Sequence, residues 1–154
     1  LVLNGLFRET IKPIRKAFEG ILPQKNIHIW YAPGPTKECN AGNEQLRESA
    51  ELIREAFIAS LKPDLLHISS IFEGFSDDAV TTIGRINTQY PISVSFYDLI
   101  PFLNQSEYLD PNKNYANYYL RKLNDLKKAN CLLAISESSR QEGIANSTAK
   151  FTCY

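Results

Sequence analysis

Three apolar runs of this chain end in polar or ionisable residues. The run LLHISS (65–70) carries His67, Ser69 and Ser70 and leads into Phe72-Glu73-Gly74. The run ISVSFY (92–97) ends on Tyr97 and passes directly to Asp98, a phenol beside a carboxylate. The run CLLAI (131–135) is followed by Ser136-Glu137. Hydroxyls and carboxylates gathered in this way suit the binding of a small polar ligand through hydrogen bonds.

Each group also has a plainer use. A histidine inside an apolar strand, such as His67, is commonly a core residue bonded to a backbone carbonyl. Asp98 could cap the turn that Pro101 fixes, because Asp bonds its own backbone two residues on. Ser136 is the expected N-cap of a helix, whose free N–H groups could equally take a phosphate or a sugar hydroxyl. Tyr115, Tyr118 and Tyr119 read as helix packing, although aromatic faces also suit sugar rings.

For these groups to meet, the runs must lie side by side with their ends level. Five apolar runs, at 1–4, 27–32, 65–70, 92–97 and 131–135, read as strands. Between them, Thr10 can cap a helix carrying Ile11, Ile14 and Phe18, with Pro13 in its first turn. Leu46, Ala50, Ile53, Phe57 and Leu61 form the apolar stripe of a second helix. Asp77 or Asp78 opens a weaker one carrying Val80 and Ile83, after which Pro101 is expected to stop any helix following the fourth strand. Tyr115, Tyr119, Leu123 and Leu126 mark a further helix. Ser136 to Asn146 closes the series, with Ser138 and Gln141, and Ser139 and Glu142, at capping-box spacing. This alternation predicts an α/β fold, a Rossmann-like parallel sheet of about five strands with helices on both faces. In such sheets ligands sit at the carboxyl ends of the strands, where all three polar clusters fall.

Composition narrows the function classes. The 154 residues are 44% hydrophobic, with Lys plus Arg and Asp plus Glu at 17 each. That describes one domain able to bury about two thirds of its unfolded surface. A formal charge of zero gives no field for a polyanion, so no nucleic acid is expected as a partner. No apolar run approaches the roughly 20 residues of a membrane span, and no segment has the layout of a secretory signal. Cys39, Cys131 and Cys153 are odd in number and widely spaced, which argues against a disulfide framework or zinc site and for a reducing cytoplasm. Arg8, Lys12, Arg15 and Lys16 give the first helix a basic side, ordinarily solvated but also suited to peripheral contact with anionic lipid at the inner membrane. The phosphate-cradling G-x-G-x-x-G and G-x-x-x-x-G-K-[ST] loops are missing, as is a G-x-S-x-G elbow.

Longer stretches add a family likeness. LVLNGLF (1–7), KPDLLHISSIFEGF (62–75), YDLIPFLNQSEYL (97–109) and YYLRKLNDLKKANCLLAISESSRQEGI (118–144) together resemble the N-terminal half of a family-4 retaining glycosyltransferase. Such enzymes have two Rossmann-like domains facing across a cleft, the GT-B arrangement. The resemblance covers 1–146 and makes that span a partial N-terminal, acceptor-side domain, leaving 147–154 as an irregular tail. It implies a nucleotide-sugar donor bound mainly by a C-terminal domain, a sugar acceptor, and neither cofactor nor metal. It makes Asp98 the catalytic carboxylate and His67, Ser70, Glu73, Gly74, Tyr97, Ser136 and Glu137 substrate-binding positions. Tyr97-Asp98 matches a place where many members carry His-Asp, so here a phenol replaces the imidazole. FEGF at 72–75 superficially matches the opening of the family's E-x7-E motif, but Val80 stands seven residues after Glu73, so this segment reads as an acceptor-side loop. By the same resemblance the chain is expected to enter the pattern one strand late, without the first strand and its glycine-rich loop, and to be inactive alone. A self-contained flavodoxin-like binding or signalling module is the rival reading.

Overall fold

Each of the five apolar runs forms a strand in the computed structural model, which describes residues 1–146: β1 (Val2–Asn4), β2 (His28–Trp30), β3 (Leu66–Ile68), β4 (Ile92–Phe96) and β5 (Cys131–Ala134). The predicted tail at 147–154 lies outside the described residues. All the pairings among described residues are parallel, so the chain is a Rossmann-like α/β domain. The strands form a two-stranded sheet, β1-β2, and a three-stranded one, β3-β4-β5, where a single sheet of about five was expected.

The sequence of β4 explains its central place. Ile92, Val94 and Phe96 point to one face and join Ile68, Ile71, Ile83 and Leu132 in the main core. Full burial of a ring such as Phe96, 1% exposed, contributes about 2–3 kcal/mol. Ser93 and Ser95 alternate onto the opposite face, where Ser93 pairs in register with His67 of β3 and Cys131 of β5.

The helices are α1 (Arg8–Ala17), α2 (Glu44–Ser60), α3 (Ile100–Leu103), α4 (Gln105–Tyr108), α5 (Lys113–Leu126) and α6 (Glu137–Asn146). Several differ from expectation for identifiable reasons. The turn after β1, in which Leu6 N–H donates to Asn4 Oδ1 at 3.0 Å, starts α1 at Arg8. Thr10 is thus inside the helix with its hydroxyl donating to Phe7 O at 2.8 Å, and Pro13 lies in the helix interior. Pro101 does not stop a helix but sits in the first turn of α3, where its missing N–H is harmless.

The stripe assigned to α2 is rotated. Ile53 is exposed, whereas Glu51, Arg54 and Glu55 are buried beside Ala50 and Ile58. Charges occupy the inner face because the long loop between β3 and β4 packs there without a ladder of its own. Glu55 accepts from the Thr82 hydroxyl at 2.8 Å and from the N–H groups of Arg85 and Ile86 at 2.7 and 2.9 Å. The weak helix expected after Asp77 or Asp78 does not form. Asp78 Oδ1 accepts from the N–H groups of Thr36 and Lys37, at 2.6 and 3.1 Å, so its carboxylate joins two loops rather than capping one helix.

Candidate functional site

The carboxyl end of β3 builds the first part of the rim. Past Ile68 the chain leaves the sheet, and the Ser70 hydroxyl donates to Glu73 Oε1 at 2.7 Å, fixing the carboxylate's rotamer. Gly74 follows with φ +95°, a conformation open to glycine, and a Cβ there would run into Ala79 O. Its carbonyl accepts from Glu38 N–H at 3.0 Å, so this turn also anchors the segment after β2.

His67 is not at this rim. It stands mid-strand and exposed, with Nδ1 2.9 Å from Ser93 Oγ and Nε2 3.1 Å from Ser95 Oγ. The plainer expectation of a core histidine bonded to a backbone carbonyl is therefore corrected: the ring lies across hydroxyls on the outer sheet face. The alternation of β4 is the reason, since every second residue there is a serine.

At the end of β4, Tyr97 is 48% exposed and Asp98 half-buried. Asp98 Oδ1 accepts from Ile100 N–H at 3.0 Å, the Asx turn that precedes Pro101. The carboxylate also faces α5: burial first, then the Asp98 charge, raises the phenols of Tyr115 and Tyr119. Burial, followed by the charge on Glu73, raises Tyr118 in the same way. Both rim carboxylates thus lie beside one tyrosine-rich helix face. That face is held by aromatic packing, with Phe72 stacked on Tyr119 at 4.8 Å and Phe75 edge-on to Tyr115 at 5.0 Å. The hydroxyl of Tyr118 is buried without a hydrogen-bond partner among the described residues.

The end of β5 lies beside that of β4, for Ile135 N–H donates to Phe96 O at 3.1 Å. Ser136 caps α6, accepting from Ser139 N–H at 3.1 Å, so the capping boxes expected at Ser138 and Ser139 give way to a cap two or three residues earlier. Glu137 points to solvent and pairs with Arg140 and Gln141, and those hydrogen bonds hold its carboxyl down at about 2. Ser136, Glu137 and Arg140 border a cavity of about 310 Å³ that runs back along Leu132–Ile135.

Five residues outside the expected set position the rim. Glu142 of α6 accepts from Leu99 N–H at 2.9 Å and so ties the loop after β4 to the helix after β5. Glu51 of α2, 1% exposed, accepts from Arg121 at 2.8 Å and also pairs with Arg85, while Arg121 reaches on to Glu38. This network clamps the loops at 36–43 and 71–91 between α2 and α5. Helical periodicity hid Glu51, which fell off the apolar stripe; Glu142 carried a signal, but for capping its own helix.

Fold and rim together define a class, a parallel Rossmann-like domain with carboxylates and phenols gathered where three strands end. Within that class the chain is 32% identical, over 146 residues, to three serotype-specific mannosyltransferases WbdA of Escherichia coli. The match takes in 94% of this chain, which spans 18% of the length of two of those relatives and 17% of the third. No protein-family model matches the chain, and no solved structure does.

Proposed function

We propose that this chain is the acceptor-side N-terminal domain of a retaining, nucleotide-sugar-dependent glycosyltransferase of GT-B type, which transfers a hexosyl group, mannosyl by the likeness, during polysaccharide biosynthesis. The observation that carries the proposal is the 32% identity to mannosyltransferases across 94% of the chain. The rim supports it chemically. Glu73, oriented by Ser70, and Asp98, oriented by its turn, present carboxylate oxygens to acceptor hydroxyls, and Tyr97 supplies an exposed phenol. The donor enters as a substrate bound chiefly by a second domain, and closure of the two halves brings it to the rim. The reaction belongs in the cytoplasm. The exposed Arg8, Lys12 and Lys16 of α1 are the candidate contacts with anionic lipid, whereas Arg15 is engaged with Gln24 and Ile27 carbonyls at 3.1 and 2.9 Å.

The test compares the 154-residue chain with the longest polypeptide that its gene encodes, each given nucleotide-activated mannose and a glycan acceptor. Transfer with retained anomeric configuration is expected from the longer polypeptide and none from the chain alone. Turnover by the chain alone at an enzyme's ordinary rate, about 1 s⁻¹ or more, overturns the two-domain reading.

A further inference from the structure

The segment Asn87–Tyr90, just before β4, makes no hydrogen bond among the described residues, by backbone or by side chain. Both of its ends are nevertheless fixed. Before it, the N–H groups of Arg85 and Ile86 donate to the buried Glu55 carboxylate at 2.7 and 2.9 Å. After it, Pro91 O accepts from Leu66 N–H at 3.0 Å, and Ile92 N–H donates to Asn130 Oδ1 at 2.8 Å. The Tyr90 ring is packed against the main core. The segment is therefore an arch on fixed feet whose donors and acceptors are all uncommitted.

This arch is the wall between two cavities, and Asn87, Thr88, Gln89 and Tyr90 line both. One, of about 680 Å³, reaches to Lys128 and Asn130 ahead of β5. The other, of about 660 Å³, reaches to Lys62 and Asp64 ahead of β3. Each has the size of a ligand cleft, roughly 300–1,000 Å³. They open at the amino ends of the strands, whereas Asp98 follows the carboxyl end of β4. The cations beside the first cavity are already matched, for Arg85 pairs with Glu51, and Lys128 donates to Asp125 at 2.7 Å and to Ile83 O at 2.9 Å. At the second, Lys62 and Asp64 offset each other in charge. A charged ligand would find no spare counter-charge here.

From this we infer that the two cavities are one binding site for a neutral oligosaccharide, which lies across the arch with its hydroxyls bonded to Asn87, Thr88 and Gln89. Side-chain amides and a hydroxyl both donate and accept, as sugar hydroxyls do, and they stand beside an aromatic ring of the kind that suits a sugar ring. The absence of spare charge selects a neutral ligand. The spread of the site over two cavities selects one of more than a single ring. The site is separate from the rim, and the inference rests on these groups and not on the transferase proposal.

Hydroxyl-radical footprinting of the longest polypeptide that the gene encodes tests it, with α-linked mannotetraose as the probe. Labelling of Tyr90 should fall at least about twofold as the tetraose is added. Tyr97, labelled in the same experiment, reports the rim, so the two places are read apart. The double variant Asn87→Ala/Gln89→Ala removes no bond within the protein and should keep the parent's denaturation midpoint, while the tetraose concentration that half-protects Tyr90 rises at least about tenfold. Unchanged labelling of Tyr90 up to about 10 mM tetraose overturns the inference. An unmoved half-protection point in the double variant also overturns it, as does equal protection by glycerol or by inorganic phosphate at the same concentration.

Discussion

The Arg121 guanidinium of α5 and the Glu51 carboxylate of α2, 70 positions apart in the chain, meet at 2.8 Å beneath the loops of the rim. Glu51 is almost wholly buried and serves Arg85 as well, whereas the Arg121 side chain is 25% exposed. The two ends are therefore unequal in worth. Glu51→Gln leaves guanidinium groups without their buried counter-charge and should destabilise the chain by about 3 kcal/mol in urea unfolding. Arg121→Met, with solvent partly screening the loss, should cost about 1–2 kcal/mol. Equal costs for the two would show that the network is not anchored on Glu51.

The turn after Glu73 depends on the absence of a side chain at Gly74. With φ +95° and Ala79 O in the way of a Cβ, Gly74→Ala should cost about 2–4 kcal/mol. The same change at Gly42, where φ is +86° but no atom stands within 4 Å of the added carbon, should cost less. Denaturation midpoints of the two variants decide the comparison.

Asp98 holds its turn through one oxygen, and an asparagine can accept the same bond from Ile100 N–H. Asp98→Asn should keep stability within about 0.5 kcal/mol of the parent. In the longest encoded polypeptide the same variant should, on the proposed role of Asp98 in polarising an acceptor hydroxyl, lose transfer at least about tenfold. Unimpaired transfer would leave Asp98 as a turn cap only.

Lys122 is buried, with its ammonium donating to Thr81 O at 2.9 Å and to Thr81 Oγ1 at 2.8 Å. Burial, then the neighbouring Arg121 charge, lowers it to about 7. A depressed lysine means that the folded state binds fewer protons than the unfolded state, so its cost is full below about pH 7 and fades as pH rises toward the ordinary 10.5. Measured against Lys122→Met, the parent should gain stability from about pH 7 to pH 10, with a ceiling of about 4 kcal/mol. A pH-independent difference would show that the ammonium stays charged in the fold.

Much of this molecule is legible from residue order, because the signals are short-range. All five strands lie within the apolar runs that announce them, and Ser136 and Asp98 make the local caps that their positions suggest. A strand is marked by its own side chains, and a cap by residues two or three positions away. What only the tertiary structure decides is long-range. Whether five strands make one sheet or two depends on which edges meet, and the face that α2 buries is chosen by a loop about thirty residues on, through Glu55 and Thr82, 27 positions apart. Glu51 and Arg121 look like solvated charges in sequence and Glu142 like a helix cap, and their work in holding the rim emerges only when the chain brings opposite charges and unpaired N–H groups together away from water.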